Sequence, residues 1–64
     1  MPDEGVVVRA ALDALSSRQR LAVVLRFYED LPESEIAELL GCRPGTVKSL
    51  LDRAKHTLRK ELQQ

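Results

Sequence analysis

Sixty-four residues, 44% hydrophobic, 3% aromatic and 31% charged, describe one small globular domain with an aliphatic core, near the size at which a single core is marginal. Ten basic and ten acidic side chains cancel to a formal net charge of zero, and the lone cysteine, Cys42, excludes an internal disulfide and fits a reducing compartment. No apolar run approaches the length of a membrane span and no basic-then-apolar leader opens the chain, so it reads as a soluble, cytoplasmic protein without a membrane partner.

Met1 to Glu4 reads as a frayed start. From about residue 4 to 14 the spacing predicts a first helix, with Val8, Ala11, Leu12 and Leu15 at the i, i+3, i+4, i+7 positions of one buried stripe. Ser16-Ser17-Arg18-Gln19 matches a capping box, with Ser16 as N-cap and Gln19 reaching back. It opens a second helix over about 17–29, whose expected core stripe is Leu21, Val24, Leu25 and Tyr28. Phe27 and Tyr28 are the only aromatics, so at least one of them is expected to plug the centre of the core.

Glu29-Asp30-Leu31-Pro32 ends that helix, because proline disfavours helix in the residue before it. Pro32 is expected in the first turn of a third helix, over about 33–40, with Glu33 and Glu35 near its positive end. Gly41 can take the left-handed conformation that closes a helix, and Pro44 suits the first turn of a fourth, over about 44–62. Ala37 lets these two helices approach, with Ile36, Leu40, Val47 and Leu50 or Leu51 as the core between them. The expectation is an all-α, compact four-helix domain over residues 1–64 that contains a helix-turn-helix. Any helical hairpin would satisfy the same spacing.

Charge distribution separates the two ends. Residues 1–40 hold four basic and eight acidic side chains, a net of −4; residues 41–64 hold six basic and two acidic, a net of +4. A basic end can face a polyanion, although cations also favour the C-terminal end of a helix. At 100° per residue, Val47, Leu51, Ala54 and Leu58 share one side of the last helix, with Leu50 at its margin. Gly45, Ser49, Asp52 and His56 share the other, flanked by Lys48, Arg53, Arg59 and Lys60. In a groove such a face would offer Ser49 as donor or acceptor and Lys48 as donor. Asp52 could accept from a cytosine amino group but would repel nearby phosphates, and His56 is an ordinary surface residue.

Nothing here suggests catalysis. One His, one Cys, no Gly-rich phosphate loop and no pocket expected in so small a bundle argue against an enzyme, a cofactor or a metal site. Glu33, Glu35 and Glu38 look like an acidic cluster, but their spacing is that of a solvated helix face.

The stretch RQRLAVVLRFYEDLPESEIAELLGCRPGTVKSLLDRAKHTLRK closely resembles region 4 of bacterial sigma factors, in the extracytoplasmic-function variety. The likeness runs from about Ala10 to Arg59 and rests on the RQR start, LRFYEDL, EIAELLGC, GTVKS and RA in combination. It implies recognition of the promoter's minus-thirty-five element in the major groove as part of RNA polymerase holoenzyme. Arg26 then matches a contact to the DNA backbone, and Glu33 lies where the third helix approaches a phosphate. Lys48, Ser49, Asp52 and Arg53, counted together with Thr46, match positions at the major groove. The first two helices would form an apolar cleft for the flap of the polymerase β subunit, with Leu12, Leu21, Val24 and Leu25 as candidates. Core packing explains those four equally well.

Two departures stand out: Leu50 where the family often has Arg, and Asp52 where it often has Ser, Phe or another non-acidic residue. The family places promoter melting in a separate domain, so an excised C-terminal domain is expected, with a stand-alone paralogue as the alternative. Two other readings stay open on sequence: a helix-turn-helix from another transcription regulator, and a sigma-like interaction module held by an anti-sigma factor.

Overall fold

Local signals place the helix ends, and the helices then have little choice of how to pack. The computed structural model, which describes residues 4–63, contains α1 (Glu4–Asp13), α2 (Ser17–Val23) continued by a π-helical turn (Val24–Tyr28), α3 (Glu33–Leu40) and α4 (Pro44–Leu62), with no strand among the described residues. Met1–Asp3, most of the expected frayed start, lie outside the described residues.

α1 stops at Asp13 in a tightened turn, where the Ala14 N–H donates to Ala11 O at 3.2 Å and the Leu15 N–H to Leu12 O at 3.1 Å. The capping box forms as expected. Ser16 Oγ accepts from the Gln19 N–H at 3.2 Å, and Gln19 Oε1 accepts from the Ser16 N–H at 3.4 Å. One turn on, Arg20 reaches back to the end of α1. Its Nε donates to Leu12 O at 3.0 Å, and its Nη2 to Leu15 O at 3.1 Å and Asp13 O at 3.4 Å. Leu12 O already accepts from the Leu15 N–H, and the guanidinium adds a second donor there and reaches the Asp13 and Leu15 carbonyls of the turn, so one side chain closes α1 and ties it to α2.

The second helix departs from expectation after Val23. Over Val24–Tyr28 the backbone widens, and the Glu29 N–H donates to Val24 O at 3.0 Å, a span of five residues. Asp30 takes a positive φ of 59°, and the Leu31 N–H closes the end onto Leu25 O at 3.0 Å. A left-handed aspartate therefore stops the helix before proline acts. Pro32 precedes α3 in extended conformation (φ −70°, ψ 157°) rather than lying within its first turn, which Glu33 opens.

The buried set corrects the stripe read for this helix. Ala22 is fully buried, Leu25 is half-buried, and Leu21, Val24 and Tyr28 are exposed. Neither aromatic plugs the centre: Phe27 is 60% and Tyr28 84% exposed. On α1, Ala11 and Leu15 are buried, Leu12 is half-buried and Val8 is exposed. The core that does form joins Ala22, Ile36, Ala37, Val47 and Leu51, with Leu25, Leu31, Leu40, Cys42 and Leu50 packed around it. Of the alternatives Leu50 and Leu51, Leu51 is the buried one. Alanines at 22, 37 and 54 leave no side-chain bulk between helices, so α1, α2 and α3 all lie against α4.

The turn between α3 and α4 is set by Gly41, at φ 67° and ψ 38°. The Cys42 N–H donates to Ala37 O at 2.9 Å and the Gly41 N–H to Glu38 O at 3.3 Å, a Schellman closure. Arg43 follows in extended conformation and Pro44 begins α4. A Cβ at Gly41 would meet nothing within 4 Å, so only the backbone conformation resists substitution there. Gly41→Ala should therefore cost about 1–2 kcal/mol in urea-monitored unfolding. A cost near zero would show that the turn relaxes away from the left-handed geometry.

Candidate nucleic-acid interface

Burial of Val47, Leu51 and Ala54 fixes the rotation of α4, and with it the identity of the outward face. At 100° per residue the buried stripe is centred opposite Ser49 and His56, with Gly45 beside them and Asp52 nearer one edge. Gly45, Thr46, Lys48, Ser49, Asp52, Arg53 and His56 are all exposed, as are Lys55, Arg59 and Lys60. The face expected to point away from the core does so, with cations along both shoulders. None of the α4 cations is ion-paired among the described residues. An arrangement of this kind can present donors and acceptors at its centre and positive charge to both walls of a groove.

Arg26 and Glu33 sit apart from that face, bracketing the connection from the π-helical turn to α3. Arg26 Nη1 lies 3.7 Å from Asp30 Oδ1, and its guanidinium carbon is 5.8 Å from the centre of the Phe27 ring. The Arg26 side chain keeps 39% of its surface in solvent, and Glu33 is half-buried at the first residue of α3. Arg18 is directed inward to the chain's own backbone, its Nη2 donating to Leu40 O at 3.4 Å. Arg18 and Arg20 therefore differ from Arg26 in what they hold, although all three lie in the acidic part of the sequence.

A second surface lies across the molecule's other helices. Val8, Leu12, Val24, Phe27, Tyr28, Leu58 and Leu62, together with Ala11 and Val23, line an apolar groove of about 400 Å³ between α1, the second helix and the C-terminal half of α4. This corrects the expectation that so small a bundle has no pocket. Leu12 and Val24, two of the four flap-binding candidates, line it. The other two do not: Leu25 packs on the main core, and Leu21 is exposed elsewhere. Sequence reasoning missed Phe27, Tyr28, Leu58 and Leu62 as one surface. Two adjacent aromatics immediately before a helix stop were the available signal. Among the described residues no His, Cys, Asp and Glu gather in a metal-holding group, and no helix is long and apolar enough to cross a membrane.

The model of the family described as sigma-70, region 4 matches residues 6–58. The chain belongs to that family. This region 4 domain is 47% identical over 53 residues to an RNA polymerase sigma-E factor of Streptomyces antibioticus, covering 83% of the chain and 29% of the relative. It is 46% identical over 52 residues to the RNA polymerase sigma factor SigV of Bacillus subtilis, covering 81% and 31%. With the ECF RNA polymerase sigma factor SigE of Mycolicibacterium smegmatis it shares 44% over 55 residues, covering 86% and 21%. The chain thus spans less than a third of the length of these relatives.

In this region 4 domain the outward aromatics make a stability argument separable from a binding one. Tyr28→Ser removes a side chain on a residue that is 84% exposed, so stability in urea should change by no more than about 0.5 kcal/mol. A loss of several kcal/mol would place Tyr28 in the core after all.

Proposed function

We propose that the chain is the promoter-reading domain of a sigma factor of the extracytoplasmic-function kind, a binding module rather than an enzyme, acting in the cytoplasm. In this reading α4 enters the major groove of the minus-thirty-five element while the domain is carried by RNA polymerase. The observation that supports it most is the free face of α4: its other sides pack on three helices, and what is left is polar at the centre and basic at the edges. Membership of the sigma-70 region 4 family adds to it.

Roles follow from donor and acceptor chemistry. Lys48, Ser49 and Asp52 meet base edges, while Arg53 meets base edges or phosphate. Thr46, in the first turn of α4, offers its hydroxyl to the phosphate backbone, and Arg26 offers its guanidinium to the same strand or its neighbour. The Glu33 end of α3 approaches a phosphate through the free N–H groups of the helix terminus rather than through the carboxylate. The apolar groove is the surface for the flap of the polymerase β subunit, which enlarges the candidate set from Leu12 and Val24 to include Phe27, Tyr28, Leu58 and Leu62.

Duplex titrations by fluorescence anisotropy at several ionic strengths test the DNA side. Arg26→Ala and Arg53→Ala should weaken binding to all sequences and lower the salt slope by about one each. Ser49→Ala should instead shift preference at one base pair by about 1–3 kcal/mol. If Arg26→Ala binds like the parent at every salt concentration, its backbone contact is wrong. On the polymerase side, Leu62→Asp should abolish co-purification with RNA polymerase and leave duplex affinity within about twofold, since a charge in an apolar groove opposes docking. Retained co-purification would remove the groove from that role.

A further inference from the structure

We infer that Asp52 selects one letter of the bound duplex by accepting a hydrogen bond from the exocyclic amino group of a cytosine in the major groove. The inference rests on the proposed entry of α4 into that groove and names what one acidic residue of its outward face recognises. Position is the first argument. At 100° per residue Asp52 lies within about 40° of Gly45 and His56 and about 100–160° from the buried Leu51, Val47 and Ala54, between the Ser49–His56 centre of the outward face and one of its shoulders. Lys48, Lys55 and Arg59 form that shoulder, just outward of Asp52, and Arg53 and Lys60 flank the face on the other side. Phosphates line the two walls of a groove and bases form its floor, so the shoulder cations meet the walls and Asp52, set inward of Lys48, Lys55 and Arg59, meets a base at the edge of the floor. The cations beside Asp52 offset the repulsion that an acidic group on a DNA-facing helix would suffer.

Freedom is the second argument. Lys48, Lys55 and His56 stand at helical i−4, i+3 and i+4 spacing from Asp52, where an ion pair would form if the carboxylate served to balance charge on the helix surface. Among the described residues the only ion pair joins Arg26 and Asp30, and Asp52 is exposed and unpaired.

Chemistry supplies the third. A carboxylate is an acceptor only, whereas the Ser49 hydroxyl can donate or accept, so Asp52 is the one side chain on the outward face of the first turns of α4 that must find a donor. On the major-groove edges of the four bases only the cytosine N4 and adenine N6 amino groups donate. Adenine sets the N7 lone pair beside N6, against the second carboxylate oxygen. Cytosine sets no acceptor of its own there, and guanine and thymine present acceptors where a donor is needed.

Selection from a randomised duplex pool, run in parallel on the chain and on Asp52→Asn and Asp52→Ser, tests this, followed by anisotropy titration of the enriched duplex and its single-letter changes. Circular dichroism confirms that each variant folds, as expected for substitutions at an exposed position. The parent should fix cytosine at one position by about tenfold over the other letters. Asp52→Asn should move that position to adenine, whose N6 and N7 a carboxamide can engage together, and Asp52→Ser should leave it degenerate, with all other positions unchanged. Identical letters at every position in all three proteins would overturn the inference while leaving α4 as the reader. So would a parent preference other than cytosine at the position the variants alter. A parent selection that enriches no sequence would remove the groove-reading helix itself, and the role of Asp52 with it.

Discussion

Every other helix of the chain leans on α4, and that shared dependence shapes the rest. A 64-residue domain cannot build separate cores for separate helix pairs, so one long helix supplies the apolar stripe on which the others converge. Val47, Leu51 and Ala54 are buried for this reason, and their burial fixes the rotation of the helix about its axis. The outward face is then a consequence of packing and not an independent choice. Gly41 contributes by turning the chain so that α3 and α4 meet through Ile36, Ala37 and Val47 without bulky side chains holding them apart.

Cations in this protein serve two distinct purposes. Arg18 and Arg20 donate to backbone carbonyls at the ends of α3 and α1, where unsatisfied acceptors would otherwise weaken short helices. Among the described residues the α4 cations make no such contacts, and they are exposed. A formal net charge of zero therefore conceals a strongly polarised molecule: an acidic half in which two of the four arginines hold the fold together, and a basic helix whose charge is free to act outward.

Features governed by a few neighbouring residues were legible in the sequence. The Ser16 capping box, the left-handed Gly41, Pro44 at the start of α4 and the α4 stripe all follow from local rules, and all are present. The second helix was not legible in the same way. Reading it at a constant 100° per residue assigned Tyr28 to the core, but the π-helical turn breaks that phase from Val24 onward and turns Phe27 and Tyr28 outward. Within the α-helical part, preference for a large side chain favoured Leu21, whereas the close crossing on α4 leaves room only for Ala22. The apolar groove was missed for a related reason, since most of its lining comes from residues assigned to the interior or overlooked at the end of α4. The outward face of α4 was legible because solvent asks only that its residues be polar, and helical periodicity alone places them.

The same α4 that carries Ser49 on its outward face carries Leu58 and Leu62 in the apolar groove. At about 1.5 Å per residue, Leu58 and Leu62 stand about 14 and 20 Å from Ser49 along one uninterrupted helix. With no hinge between them, α4 works as a molecular ruler: whatever seats in the groove is held at a set distance and bearing from whatever lies against Ser49.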